Sequence, residues 1–148
     1  MNERIALPRG LRTFNRAVKV LNRIGLRMGP VSLLTVPGRR SGQPRTTPVT
    51  PFEVDGRRYL FGGLPGADWV RNARAAESGT LTSGRRERRV RLVELPVAER
   101  GPILREFPVK VPNGVAMMIK AGVVGSGDPD EFEALADRCP IFRVEPLP

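Results

Sequence analysis

Between Leu33 and Pro51 the chain reads LLTVPGRRSGQPRTTPVTP, and Arg39, Arg40, Ser41, Gly42, Arg45, Thr46 and Thr47 crowd into one turn and the strand start that follows it. Guanidinium forks, hydroxyls and glycine-freed backbone amides at this density are donors matched to phosphate or carboxylate oxygens. The segment reads as an anion cradle. A solvated hairpin turn, in which Gly and Ser supply geometry and Arg supplies solubility, accounts equally well for its composition. A second place for a ligand is the loop Gly62, Gly63, Pro65 and Gly66, which lies between a strand pattern and a helix start.

Much other chemistry is excluded by what the chain lacks. It has no histidine and a single cysteine, Cys139. Zinc hydrolysis and Ser-His-Asp catalysis therefore lose their usual ligand and base, and an intramolecular disulfide is impossible. Cys139 lies between Arg138 and Pro140 and reads as a buried or incidental thiol. Glu131, Glu133 and Asp137 fit a solvated helix face better than a metal site.

The net charge of +10 is placed unevenly: residues 1–74 carry 14 Arg/Lys against 4 Asp/Glu, and residues 75–148 carry 11 against 11. An anionic partner for the first half follows, whether a polyanionic small molecule, an acidic membrane surface or nucleic acid. Few aromatics and no recognised binding module weigh against nucleic acid. No run of about 18 apolar residues spans a membrane, and MNERIALPRG has no apolar signal core, so the expectation is one cytoplasmic domain over residues 1–148.

The elements that must position these residues follow from periodicity. Arg9 to Arg27 reads as a basic amphipathic helix, with Leu11, Phe14, Val18 and Leu21 on one side and Arg9, Arg12, Arg16, Lys19, Arg23 and Arg27 on the other. It either packs on the domain or touches an anionic surface such as the inner face of a membrane. Val31 to Val36 and Thr46 to Val54 read as strands, the second running past Pro48 and Pro51 as an edge or bulged strand. Asp55-Gly56 predicts a tight hairpin turn into Arg57 to Phe61. Asp68 reads as a possible cap for a helix from Trp69 to about Ala76. Ser78 to Ser83 and Glu87 to Leu95 form a further hairpin pattern. After it come a helical pattern broken at Gly101-Pro102, a helix over Pro112 to Ala121, an acidic helix over Pro129 to Arg138 capped by Asp128, and a strand at Ile141 to Val144. About six strands joined by hairpins, with helices before, between and after them, predict a mainly antiparallel barrel with peripheral helices. There is no GxGxxG and no P-loop.

The order GRRSGQPRTTP, DGRRYLF, a glycine loop and DWVRNARAAESGTLTSGRRERRVRLVEL resembles the deazaflavin-dependent nitroreductase and quinone reductase family, whose members bind coenzyme F420. The likeness runs from about Leu33 to Leu95, and the ending GDPDEFEALADRCPIFRVEP resembles one branch of that family. Its implied fold is a six-stranded split β-barrel of the FMN-binding type. Its implied cofactor is F420, in preference to FMN, with a tail of one phosphate and several glutamates facing Arg39, Arg40 and Arg45. Ser41, Gln43, Thr46, Thr47 and Pro48 would line the cofactor groove, closed by Gly62, Gly63 and Trp69. Asn72 would reach the ring edge or brace the loop.

The resemblance further implies an oxidoreductase that delivers hydride to a small apolar acceptor such as a quinone or nitro compound. Tyr59, Met117 and Met118, with Ile119 and Trp69, would stand near that acceptor. No catalytic residue is assigned, a hydroxyl of Ser41, Thr46 or Tyr59 or solvent being able to supply the proton. The link LPGAD is shorter than in many relatives, so contacts of the longer loop do not transfer. A deazaflavin carrier without turnover, and a basic protein of membrane surfaces or nucleic acid, remain the alternatives. A homodimer is common among such barrels.

Overall fold

The computed structural model describes residues 31–64 and 66–148. The basic helix expected over residues 9–27 lies outside the described residues. Among the described residues seven strands and four helices follow one another in the order β1 (Ser32–Pro37), β2 (Pro44–Val49), β3 (Phe52–Val54), β4 (Arg57–Phe61), α1 (Asp68–Ala76), β5 (Ser78–Ser83), β6 (Arg86–Glu94), α2 (Val97–Lys110), α3 (Pro112–Lys120), α4 (Pro129–Glu133) and β7 (Ile141–Pro146).

All pairings are antiparallel, in the spatial order β2-β1-β5-β6-β7-β4-β3. The outermost strands, β2 and β3, are joined by only Thr50 and Pro51. Laid flat, seven strands would hold these edges roughly 29 Å apart. Three residue steps span about 11 Å at most. The sheet must therefore curl until its edges meet at that link, which makes it an open barrel with peripheral helices.

The seventh strand comes from the proline-containing run. Thr46 to Val54 reads as one strand in sequence, but the chain divides at Thr50–Pro51 and its two halves join opposite edges. Pro44 and Pro48 sit on edge strand β2, where a missing N–H leaves no inner ladder broken. The Asp55-Gly56 turn forms as expected, with φ of 52° and 79° at the two residues, the pair of positive values a two-residue hairpin favours.

Strand alternation separates two apolar clusters. Leu34, Val36, Leu60, Leu81, Leu92 and Phe142 fill the concave side together with Val70 and Ala73 of α1. On the outer side Phe52, Tyr59 and Ile141 meet Leu104 and Phe107 of α2, Met118 of α3 and Phe132 of α4. Neighbours such as Tyr59 and Leu60, or Ile141 and Phe142, thus serve different layers. Phe107 is the centre of the outer layer, its ring 4.7 Å from Phe61, 5.4 Å from Phe52 and 5.7 Å from Phe132.

Three helix expectations need correction. α2 runs unbroken through Gly101-Pro102 and carries Pro108 as well. Each internal proline forfeits a backbone hydrogen bond, a penalty of about 3 kcal/mol in isolation. The burial of Leu104 and Phe107 offsets it, and Gly101 lets α4 approach closely, a Cβ there lying 3.3 Å from Glu133 Cγ. The acidic helix is shorter than expected: past Glu133 the chain tightens into three-residue bonds such as Leu135 N to Phe132 O and Arg138 N to Leu135 O. Asp128 does cap it, its Oδ1 accepting from Asp130 N at 2.9 Å. Asp68, expected as a cap, is the first helical residue of α1 and makes no cap bond.

One polar junction ties these layers together. Arg100, with 11% of its side chain exposed, donates Nε to Leu95 O at 2.9 Å, Nη1 to Ala136 O at 3.1 Å and Nη2 to Glu94 Oε2 at 3.1 Å. Arg74 of α1 grips the same carboxylate with two bonds of 2.8 and 2.7 Å. The Arg74 hydrogen bond, with the charges of Arg74 and Arg100, holds the Glu94 carboxyl below its usual range, against the opposing effect of burial. A carboxylate whose folded pKa is depressed stabilises the fold above its unfolded pKa, and that contribution fades as pH falls through the folded value. Glu94→Gln is therefore expected to cost about 1–3 kcal/mol at neutral pH. In urea unfolding the gap between the two proteins should close on acidification past the glutamate range; a gap independent of pH would rule out the ionic origin.

Candidate functional site

The turn between β1 and β2 is built by its own backbone. Gly38 N donates to Gln43 O at 2.7 Å and Gly42 N to Gly38 O at 2.9 Å, while Gly42 takes a φ of 74° that suits glycine. Ser41 Oγ accepts from Gln43 N at 3.1 Å, which leaves its proton free to donate outward. A Cβ on Gly38 would stand 3.1 Å from Ser41 Oγ and 3.4 Å from Arg45 Nε, so the bare glycine keeps open a small cradle under the Arg45 guanidinium.

α1 fixes this turn from behind. Asn72 is 5% exposed, and its Oδ1 accepts from both Arg39 N at 3.0 Å and Arg39 Nη1 at 2.9 Å. Arg39 Nη2 also lies 3.5 Å from Asp68 Oδ1. Asn72 braces the loop, and Arg39 is largely spent on that brace. Arg40 and Arg45 are exposed and form no ion pair among the described residues.

The threonines that follow divide by face. Thr46 stands opposite Thr35 in the β1–β2 register, their hydroxyl oxygens 2.8 Å apart. The pleat sets Thr46 and Pro48 on one face and Thr47 on the other with buried Val49. Thr35 was not singled out in sequence, although the hairpin register places it across from Thr46.

The glycine pair has a packing role. Gly62 N donates to Pro140 O at 3.0 Å, and a Cβ on Gly62 would lie 2.7 Å from Val70 Cγ2. A Cβ on Gly63 would lie 2.9 Å from Met118 Sδ. The Gly62 amide is thus already used inside the fold. Trp69 is half-buried against the concave cluster, its ring 5.8 Å from that of Phe142.

The candidate acceptor residues are not gathered in one place. Tyr59 is buried in the outer layer, its ring 6.2 Å from Phe52, and Met118 is buried in the same layer. Met117 is 46% exposed and Ile119 42% exposed on α3. Trp69 belongs to the opposite side of the sheet from Tyr59 and Met118. Cys139 is buried, and burial raises its thiol pKa against the opposing pull of Arg138 and Arg100. The carboxylates of the acidic segment have separate duties: Glu131 accepts from Gly125 N and Ser126 N, and Glu133 pairs with Arg105.

The donor set suits an anionic group such as a phosphate or carboxylate. Two guanidiniums without an ion pair among the described residues, a serine proton and a glycine-lined opening lie within one turn, with Thr46 on one face of the adjoining strand and Thr47 on the other. Because Asn72 holds the turn that presents them, Asn72→Ala would leave the Arg39 amide without its acceptor and cost about 1–3 kcal/mol. Asn72→Asp, which keeps an oxygen acceptor, should recover most of this. Urea unfolding and amide exchange at Arg39 read the effect; unchanged exchange in Asn72→Ala would remove the brace from the account.

A model of the F420H(2)-dependent quinone reductase family matches residues 9–118. A search of curated proteins finds no match. Among solved structures, one described as a domain-swapped dimer is 21% identical, covers 97% of this chain and 100% of its own, and has a TM-score of 0.51. An F420-H2 dependent reductase is 26% identical over 78% of this chain and 94% of its own, with a TM-score of 0.46. A FAD-binding protein from Mesorhizobium loti is 18% identical over 90% of this chain and 88% of its own, with a TM-score of 0.47. The first of these agrees with the curled antiparallel sheet. With the family model matched over well more than half of its length, the chain belongs to the F420H(2)-dependent quinone reductase family.

Proposed function

We propose that the β1–β2 cradle receives the acidic tail of coenzyme F420, with Arg40 and Arg45 as its charged contacts, and that the acceptor is a small apolar molecule of the quinone class. Family membership makes the protein a deazaflavin-dependent oxidoreductase with F420 as its cofactor. The observation that carries the assignment of the tail is the state of Arg40 and Arg45, which are exposed and unpaired among the described residues on a turn held from behind by buried Asn72. Arginine suits this task because its planar fork meets phosphate and carboxylate with two parallel bonds.

When bound, the reduced deazaflavin supplies a hydride. The chain's own part is to bind, orient and exclude water. Thr46 and Thr35 share one hydroxyl–hydroxyl hydrogen bond, which leaves the proton of one of the two for a ligand, and Ser41 keeps a free proton beside the cradle. Half-buried Trp69 offers a flat apolar contact at the concave side. Met117 and Ile119, exposed on α3, offer an adaptable apolar surface to an acceptor, while Met118 beneath them is part of the core. Among the described residues no helix is long and apolar enough to cross a membrane.

Fluorescence titration with F420 tests the cradle. Arg40→Gln and Arg45→Gln are each expected to weaken binding by about ten- to a hundredfold, one charge-assisted contact being worth about 1.5–3 kcal/mol. Arg45→Lys should recover only part of the loss, since an ammonium lacks the fork. Tighter binding of FMN than of F420, or full affinity in both Gln variants, would overturn the assignment. Menadione reduction by F420H2 with the wild-type chain then tests the acceptor class.

A further inference from the structure

α1 has a second charged face. Asp68 and Asn72 point toward the β1–β2 turn, whereas Arg71 and Arg74 line a cavity of about 180 Å³ on another side of the helix. The cavity is walled by Gly62, Leu64, Gly66 and Ala67 ahead of α1 and by Arg138 and Pro140, just before β7. Its volume equals that of roughly six waters in the liquid, ample for a phosphate or carboxylate group.

Its lining contains three arginines and no carboxylate residue. Arg74 is neutralised by its two bonds to Glu94. Arg71 and Arg138 form no ion pair among the described residues, so two uncompensated guanidiniums border one small opening. Arg71 is folded toward the loop: a Cβ on Gly66 would lie 3.9 Å from its Nη2. Two glycines of its wall are held in place. Gly62 is bonded to Pro140 O and wedged against Val70, and Gly66 holds a φ of 77°. An anion entering the opening would meet two exposed guanidinium forks, with no protein carboxylate to displace from either.

We propose that this cavity is a second anion site, in which Arg71 and Arg138 take a phosphate or carboxylate group between them. It is separate from the Arg40 and Arg45 cradle and stands without the cofactor assignment made there. The anion is either free in solution or the end group of a longer ligand whose body lies elsewhere on the protein.

Isothermal titration of the full chain with inorganic phosphate tests the site directly. Arg71→Gln and Arg138→Gln are each expected to lower phosphate affinity tenfold or more, with Arg138→Lys between them and wild type. Arg85→Gln, on the exposed β5–β6 turn, should leave it unchanged. Absence of phosphate binding by the wild-type chain, equal loss in Arg85→Gln, or no loss in either cavity variant would overturn the proposal. Arg74 and its clamp on Glu94 are left intact in all variants, and matched melting curves exclude misfolding as the cause. F420 and a deazaflavin lacking the tail then separate the two sources. If the cavity variants weaken F420 but not the tailless compound, the tail supplies the anion; if both bind as before while phosphate is lost, the site serves a free anion. Failure of F420 to bind at all would leave the phosphate result standing on its own.

Discussion

Two residues, Thr50 and Pro51, set the geometry on which the rest of the molecule depends, because they join the opposite edges of the seven-stranded sheet. The short link forces curvature, and curvature gives the sheet a concave side that α1 covers with Val70 and Ala73. On the convex side the same bending leaves β3, β4 and β7 to be covered by α2, α3 and α4 around Phe107. The two apolar layers are consequences of one covalent constraint acting on strands with alternating side chains.

Glu94 then fixes how α1 sits on that frame. It stands at the end of β6, receives Arg74 from α1 and Arg100 from α2, and through Arg100 reaches the carbonyls of Leu95 and Ala136. Glu94 and Arg100 are largely buried, at 24% and 11% side-chain exposure, and hydrogen-bonded several times over, which is the setting in which an ion pair contributes to specificity as well as energy; Arg74 is the half-exposed third member. The pairs of Arg105 use Asp130 and Glu133, carboxylates far more exposed than Glu94, and pairs of that kind contribute little. Arg143 with Glu145 is a two-residue contact along β7 and constrains no other element.

Local patterns carried much of the fold in the sequence. The Asp55-Gly56 hairpin, the strand at Arg57 to Phe61, the second hairpin and the Asp128 cap follow from neighbours a few residues apart, where turn chemistry and alternation act directly. Pro48 and Pro51 mark this run as an edge or bulged strand, and both halves do lie at sheet edges, but nothing local says that the chain breaks at Thr50–Pro51 or that the halves belong to opposite edges. α2 passes through Gly101-Pro102 because buried Leu104 and Phe107 outweigh a local penalty, and that packing involves strands far away in sequence. At the site, the dense run of donors from Arg39 to Thr47 was visible, whereas the division of labour within it was not. Arg39 looks like Arg40 in sequence; only α1, 33 residues on, makes it a brace. Tyr59 and Leu60 likewise differ in layer by one step of the pleat, and that step decides which residues can reach a ligand together.

The brace has a further physical consequence for how charge is distributed around α1. Aligning Asp68 and Asn72 at i and i+4 gives the helix one face that neutralises and immobilises Arg39, and thereby separates it from Arg40 and Arg45 in the same turn. Arg74 is treated in the same way by Glu94 on another face. Of the arginines on or touching α1, those with a carboxylate or amide partner organise the backbone, and those without one border openings. A chain without histidine and with one buried cysteine has little other polar reactivity to deploy near its cofactor. On the assignments proposed above, selection among ligands comes chiefly from where guanidiniums are left unpaired, and that placement is set by tertiary contacts of α1 more than by the number of arginines in the chain.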